Sequence, residues 1–217
     1  MRKLLIFFLF YQPFMAIAQT KIGVRGGINL NNFIYRPQYS GDSKGSGPFL
    51  PRLNAGLLIE IPLNDDKDWF INTGPYYSGK GSGTGRKLFS TQNDTIRTFL
   101  NYIELPVSVQ YKFSEGSRNR FIAGAGIYAS YGFKGKTLYR NDPDHTERNL
   151  HRKENSYKRI DAGFSINSMY EINERWGIRL DYSRSLFDIS RNQWKYSNNV
   201  FGFSFFWYLK NKKGETD

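Results

Sequence analysis

The residues of this chain that are best suited to acid–base chemistry lie between positions 142 and 156. The only two histidines, His145 and His151, stand beside three acids and a serine: Asp142, Asp144, Glu147 and Ser156. Such residues form a hydrolytic centre only when the base is held within hydrogen-bond reach of its nucleophile. The irregular spacing gives neither that geometry nor a fixed set of metal ligands. We therefore predict no catalytic residue, no metal site and no cofactor.

Two glycine-containing segments have partial likeness to phosphate-binding loops. Segment 130–137 reads SYGFKGKT, but Ser130 stands where a P-loop has its first glycine, and no helical pattern follows. The alternate glycines from Gly79 to Gly85 share only the composition of a nucleotide loop, because no βαβ pattern surrounds them. Neither segment is predicted to bind a nucleotide.

The composition excludes several classes of protein. The 217 residues include 18 Phe, 15 Tyr, 4 Trp and 21 Gly, which favours β structure, and no Cys, which excludes disulfides and thiolate metal sites. Lys and Arg number 31 against 19 Asp and Glu, a net charge of +12. Because no recognition helix is visible, this charge does not indicate a nucleic-acid partner.

The first eighteen residues have the pattern of an export signal. Arg2 and Lys3 precede an apolar run, and Ala16-Ile17-Ala18 fits the small-x-small rule for signal peptidase. A retained anchor helix is the alternative, but Tyr11-Gln12-Pro13 interrupts the apolar run. We predict a signal peptide at 1–18, cleaved to leave a mature chain that begins at Gln19.

The mature chain has a hydrophobic period of two, which predicts strands rather than helices. The clearest strand alternates apolar residues from Ile103 to Phe113 with polar residues such as Glu104 and Lys112. We predict eight such strands, beginning near residues 22, 53, 69, 103, 121, 159, 175 and 197.

The connections between these strands alternate in length. Four are long and polar, at 34–51, 79–98, 134–158 and 187–196, and the others are short. Outer-membrane barrels have this layout, with long extracellular loops and short periplasmic turns. We predict an all-β fold, an eight-stranded antiparallel up-and-down transmembrane β-barrel at 19–210, followed by a short periplasmic tail at 211–217.

The polar faces of the strands decide which side points inward. A lipocalin-type soluble barrel would enclose its apolar face, whereas an outer-membrane barrel exposes that face to lipid. The polar faces carry five basic and five acidic residues, a set that can fill a narrow interior with paired charges. The predicted interior charge network comprises Arg25, Glu60, Glu104, Arg159, Asp161, Arg179 and Asp181.

Aromatic and basic residues mark the two predicted ends of the barrel. A periplasmic aromatic girdle is predicted from residues at strand ends: Trp69, Tyr111, Phe113, Tyr170, Trp176 and Trp207. The long loops and their shoulders hold seventeen basic and seven acidic residues, so the excess positive charge lies at the other end. Lipopolysaccharide phosphates would attract these cations. The predicted basic loop residues include Arg86, Lys87, Lys134, Lys136, Arg152 and Lys153.

The chain resembles the PorT-like family of small outer-membrane β-barrel proteins. The matching segments are GVRGGINLNNF at 23–33, YIELPVSVQYKF at 102–113, AGAGIYASYG at 123–132, RIDAGFSI at 159–166 and RWGIRLDYSRSLFDIS at 175–190. The most telling features are the Y-x-E-x-P strand with Glu104 and Pro106, and the D-x-G of Asp161 and Gly163. The resemblance implies an eight-stranded barrel in the outer membrane of a Gram-negative cell. It assigns no residue a role in chemistry.

Three functions remain open at this level. The first is a non-enzymatic outer-membrane barrel with a packed interior, whose basic loops contact lipopolysaccharide or a surface partner. The second is an accessory subunit of a secretion or uptake complex, because the best-studied PorT-like protein serves type IX secretion and gliding. The third is a rim enzyme that uses His145 and His151. We favour the first, since fold and family alone do not establish a function.

Overall fold

The computed structural model describes residues 20–37, 45–64, 66, 68–84, 96–114, 118–139, 146–148, 150, 157–191 and 194–209. Within these ranges the chain forms eleven β-strands. They are β1 (Lys21–Pro37), β2 (Gly45–Ser46), β3 (Leu50–Pro62), β4 (Trp69–Thr73), β5 (Tyr76–Thr84), β6 (Ile96–Ser114), β7 (Arg120–Tyr139), β8 (Thr146–Arg148), β9 (Ile160–Ile172), β10 (Trp176–Ser185) and β11 (Trp194–Tyr208). The described part of the chain contains no helix that is long and apolar enough to cross a membrane.

The strands close into a barrel whose wall has eight antiparallel segments. We call each segment a stave, because one of them consists of two strands. Strands β4 and β5 together form one stave, interrupted at Gly74 and Pro75, because both pair with β3 on one side and β6 on the other. Strand β1 pairs with both β3 and β11, which closes the ring between the first and last staves. The short strands β2 and β8 pair with β1 and β7 beyond the residues at which β3 and β9 pair with them. The predicted eight-stranded, antiparallel, up-and-down barrel is confirmed.

The barrel presents its apolar face outward. On β6 the side chains of Ile103, Leu105, Val107 and Val109 are 44–49% exposed, whereas Glu104 and its inward neighbours are buried. Other strands alternate in the same way, because successive side chains of a strand point to opposite faces. Strand β5 is the exception, since its outward positions 79, 81 and 83 are glycines and are buried. A water-soluble barrel would bury the apolar face, so this arrangement is that of a barrel surrounded by lipid.

The staves are longer than predicted at the end that carries the long connections. Strand β5 continues to Thr84, β6 begins at Ile96 and β7 continues to Tyr139, so the predicted loops 79–98 and 134–158 begin or end inside the sheet. Above the lipid, paired strands still satisfy their backbone hydrogen bonds, and water tolerates polar side chains on both faces. The hydrophobic period therefore fades before the strands end.

An apolar cluster closes the barrel at the same end. Phe33, Leu100 and Tyr102 point inward from β1 and β6 and meet residues of the long connections, Leu150 and Ile189. All five are at most 5% exposed, and the rings of Tyr157 and Tyr196 pack against them. A second buried cluster fills the interior at the short-turn end, built from Leu58, Phe70, Ile122, Met169, Phe206 and Tyr208.

The closing seam between β1 and β11 gives a testable prediction. A Cβ atom at Gly27 would lie 2.0 Å from the carbonyl oxygen of Phe203, whereas at Gly26 its nearest neighbour would be the carbonyl oxygen of Asn54 at 3.8 Å. We expect Gly27→Val to push the two strands apart and to destabilise the barrel by about 1–3 kcal/mol. Gly26→Val should leave it folded. The folded barrel is followed as the heat-modifiable band on unboiled gels, and the measurement is the temperature at which half of this band is lost. Equal midpoints for the two variants would contradict the close approach of β1 and β11 at Gly27.

Candidate functional site

A lysine buried between two carboxylates lies in the part of the barrel interior that is nearer the long connections. The Nζ atom of Lys80, on β5, lies 2.6 Å from Glu104 Oε2 on β6 and 3.0 Å from Asp161 Oδ2 on β9. None of the three side chains is more than 2% exposed. Asn198 and Tyr128 also donate hydrogen bonds to the Asp161 carboxylate, at 2.8 Å and 3.3 Å. The carboxylate is therefore held by three other staves.

The network continues through Tyr76 toward the short-turn end. Its hydroxyl donates a hydrogen bond to Glu104, and the guanidinium of Arg25 lies 3.6 Å from the centre of its ring. Arg25 Nη1 is 3.7 Å from Asp181 Oδ2. Asp181 in turn accepts hydrogen bonds from Arg179 Nε at 2.8 Å and 2.9 Å, and its Oδ1 atom lies 2.7 Å from Arg179 Nη2. Three cations and three carboxylates thus alternate across the interior, so the network carries no net charge.

A separate group of charges lies at the short-turn end. Lys112 forms an ion pair with Glu60, which also accepts a hydrogen bond from the Tyr208 hydroxyl at 3.0 Å. Glu171 is fully buried, and its Oε1 atom lies 3.8 Å from Lys21 and 3.9 Å from Arg120. These contacts place opposite charges together beside the lower apolar cluster.

Six of the seven predicted interior residues lie inside the barrel next to an opposite charge: Arg25, Glu60, Glu104, Asp161, Arg179 and Asp181. The structure places the seventh residue, Arg159, outside this network. It precedes the first residue of β9, so the inward alternation has not begun, and its guanidinium donates to the hydroxyl of Tyr131 at 2.6 Å, on the outer surface. The effect of this network on stability stays a prediction.

Sequence reasoning missed Lys80, the most enclosed cation of the network. It falls in the predicted loop 79–98, because the glycines at 79, 81 and 83 interrupt the apolar face. The inward face nevertheless keeps its period of two through Tyr76, Ser78, Lys80 and Ser82. That unbroken polar alternation was the available signal.

The predicted girdle residues form a band on the outer face at the short-turn end. Trp69 pairs in register with Tyr111, and their ring centres are 5.0 Å apart. Trp176 pairs in register with Trp207. Phe113 continues the band through Phe121, which pairs with Tyr170. The contact of this band with a membrane interface stays a prediction.

A second outward aromatic group lies at the opposite end, comprising Phe49, Tyr77, Phe133, Phe164, Tyr182 and Phe201.

Near the long-connection end, two cations flank one aromatic ring. The guanidinium of Arg52 lies 4.8 Å from the ring centre of Phe99, and Lys136 Nζ lies 5.4 Å from the same centre. Arg52 also donates to Asn101 Oδ1 at 2.7 Å, and Lys134 pairs in register with Asn101. We call Arg52, Phe99, Asn101, Lys134 and Lys136 the outer basic patch.

Only two of the six predicted basic loop residues belong to the described residues. Lys134 and Lys136 are exposed, but they lie on β7 rather than in a loop. The other four lie outside the described residues: Arg86, Lys87, Arg152 and Lys153. The same holds for His145 and His151. Among the residues that the structure does describe, no group of three or more His, Cys, Asp or Glu is placed to hold a metal ion.

Comparison with known proteins identifies an outer-membrane barrel domain. The family described as outer membrane protein beta-barrel domain matches residues 10–191. The fold is similar to Ail, the attachment invasion locus protein of Yersinia pestis, with 13% identity, 87% of this chain and 97% of that chain covered, and a TM-score of 0.37. It is also similar to Neisserial surface protein A, with 9% identity, coverage of 87% and 97%, and a TM-score of 0.46. No curated protein matches the sequence.

The buried lysine gives the second prediction. In Lys80→Met, Glu104 and Asp161 stay buried without their shared cation, so we expect the free energy of unfolding to fall by about 3–5 kcal/mol. The matched control Lys134→Met removes an exposed lysine and should change it by less than about 0.5 kcal/mol. Urea unfolding in lipid vesicles, followed by tryptophan fluorescence, measures both.

A triple variant separates lost charge pairing from lost packing. Adding Glu104→Gln and Asp161→Asn to Lys80→Met removes the two stranded charges and should recover part of the stability. If Lys80→Met unfolds at the same urea concentration as Lys134→Met, the network does not stabilise the barrel.

Proposed function

The chain belongs to the outer membrane protein beta-barrel domain family, and on that premise we propose that it is a closed, non-enzymatic barrel whose outer basic patch binds the phosphates of lipopolysaccharide. The family and the outward apolar face make it an integral protein of the outer membrane. The narrower assignment to PorT-like proteins, and export by a signal peptide cleaved after residue 18, belong to the proposal.

The outer basic patch is the observation that carries this function. Arg52 and Lys136 approach the same ring of Phe99, and Lys134 stands exposed beside them. A cation near an anionic membrane surface gains about 1 kcal/mol from the attraction. Two or three cations on one rigid sheet therefore suit the clustered phosphates of a lipopolysaccharide headgroup better than single, scattered ones.

The height of the patch fits the outer leaflet. Phe121 and Phe133 lie in the aromatic groups at opposite ends of β7, twelve residues apart. At about 3.3 Å per residue and a strand tilt of about 40°, this separation is roughly 30 Å along the membrane normal. The hydrocarbon core of a bilayer is about as thick. Lys134 follows Phe133 directly and Lys136 comes two residues later, so both would stand at the level of the headgroups.

The interior favours a closed barrel over a diffusion pore. An eight-stranded barrel is just wide enough for side chains to fill its interior. Here the charge network spans the middle, and an apolar cluster lies on each side of it. Passage of a solute would separate buried, paired charges, which is costly.

The accessory-subunit function is the alternative, and it has a direct test. Crosslinking in native outer membranes followed by affinity purification should recover the barrel with lipopolysaccharide and without a stoichiometric protein. Recovery of one large membrane protein at a fixed ratio would favour a subunit of a secretion or uptake complex instead.

The third prediction concerns the outer basic patch. We expect Lys134→Gln combined with Lys136→Gln to weaken lipopolysaccharide binding by about 2 kcal/mol, or roughly thirtyfold, because two cations of the patch are lost. The matched control is Arg36→Gln combined with Lys195→Gln, two exposed residues that pair in register at the same end. Binding is measured on the refolded barrel with intact and with dephosphorylated lipopolysaccharide.

Two outcomes would contradict the proposal. One is equal weakening by the two double variants, which would make the attraction a property of the whole rim. The other is wild-type binding that does not depend on the phosphates.

A further inference from the structure

A groove of about 560 Å³ lies on the outer wall of the barrel at the short-turn end. Outward side chains of β1, β10 and β11 form its sides, namely Val24, Trp176, Phe205 and Trp207, and Asn173 and Arg175 stand at its end. The volume falls within the range of about 300–1,000 Å³ that is typical of small-ligand sites. Its sides are apolar, and its end is polar and basic.

Gly26 gives the groove its depth. It pairs in register with Phe205, and an added Cβ atom would find no heavy atom nearer than 3.8 Å. The neighbouring outward positions on β1 carry the exposed side chains of Val24 and Ile28. The wall is therefore recessed at Gly26, between larger side chains.

The cation at the end of the groove has no carboxylate partner among the described residues. The guanidinium of Arg175 lies 5.5 Å from the ring centre of Trp207. By contrast Arg120, at the same end of the barrel, forms an ion pair with Glu174 and lies 3.9 Å from Glu171. Arg120 is thus neutralised by the protein, and Arg175 is available to an external anion.

The backbone holds Arg175 in place. Asn173 and Glu174 both have positive φ, 51° and 56°, as in the two-residue turns that join antiparallel strands. The carbonyl oxygen of Arg175 accepts a hydrogen bond from Tyr208 N at 2.7 Å, and its own N–H donates to Ile172 O at 3.1 Å. The backbone from which the Arg175 side chain extends is therefore fixed beside the groove.

We propose that this groove binds one glycerophospholipid of the periplasmic leaflet. An acyl chain lies along Gly26, between Phe205 and Trp207, and the phosphate contacts the guanidinium of Arg175 and the side-chain amide of Asn173. The short-turn end of an outer-membrane barrel faces the periplasm, where the leaflet consists of phospholipid. An apolar groove that ends in a cation has the complementary form of an amphiphile with an anionic headgroup. This site is at the opposite end from the outer basic patch and does not depend on it.

Native mass spectrometry of the full barrel in mild detergent tests the site. The probes are palmitoyl-oleoyl phosphatidylglycerol and the diacylglycerol with the same chains, which lacks the phosphate. We expect the wild-type protein to retain one phosphatidylglycerol and little diacylglycerol. Arg175→Gln should reduce phosphatidylglycerol retention about tenfold, because a charge-assisted contact is lost. Gly26→Leu should reduce retention of both lipids by filling the recess.

The control is Arg120→Gln, which removes the same charge at the same end and should retain the lipid as the wild type does. The heat-modifiable band on unboiled gels shows that each variant is folded. The proposal is overturned if Arg175→Gln retains phosphatidylglycerol like the wild type, or if Arg120→Gln loses as much. It is also overturned if phosphatidylglycerol and diacylglycerol are retained equally by the wild type.

Discussion

The pairing of one buried lysine with two buried carboxylates is the interaction on which the rest of this barrel depends. Lys80, Glu104 and Asp161 come from three staves and meet where water does not reach them. Each charge is tolerated there only because the others are present. Since side chains alternate with a period of two, a slip of one residue in any of these staves would send its charge into lipid. The charges therefore help to specify the register of the sheet as well as to fill its centre.

Lipid on the outside imposes the complementary constraint. Within the described residues, each of the eight staves pairs with a neighbour on both sides, so the staves can cross the hydrocarbon with their backbone hydrogen bonds satisfied. Apolar side chains such as Leu105 and Val107 then face the lipid and contribute nothing to the interior. The interior is therefore held together by charges, amides and two apolar clusters at different heights. This distribution is the inverse of a soluble barrel, in which apolar side chains would hold the centre.

The fold could be predicted from the sequence because two signals agree. Alternation within the strands and alternation in connection length both require eight antiparallel staves. The boundaries of the strands were less accessible, and the errors at the site come from them. Arg159 has the right parity for the interior but stands before β9 begins, and Lys80 falls in a predicted loop although β5 extends past it. The apolar cluster at the long-connection end is also missed, because Leu150 and Ile189 lie in the predicted connections, where no period of two marks an inward face.

Because charged and apolar side chains fill the interior, the proposed recognition sites lie on the outer wall. At both ends of the outward apolar face, cations lie beside an aromatic ring: Lys136 and Arg52 at Phe99, and Arg175 at Trp207. Aromatic rings suit the boundary between hydrocarbon and headgroups, and an adjacent cation is then held at the depth of the lipid phosphates. The ring also limits the freedom of a long basic side chain, so less entropy is lost when a phosphate binds. In the two proposed sites, the same pairing of residue types would bind two chemically different lipids, and the shape of the wall around each cation would distinguish one lipid from the other.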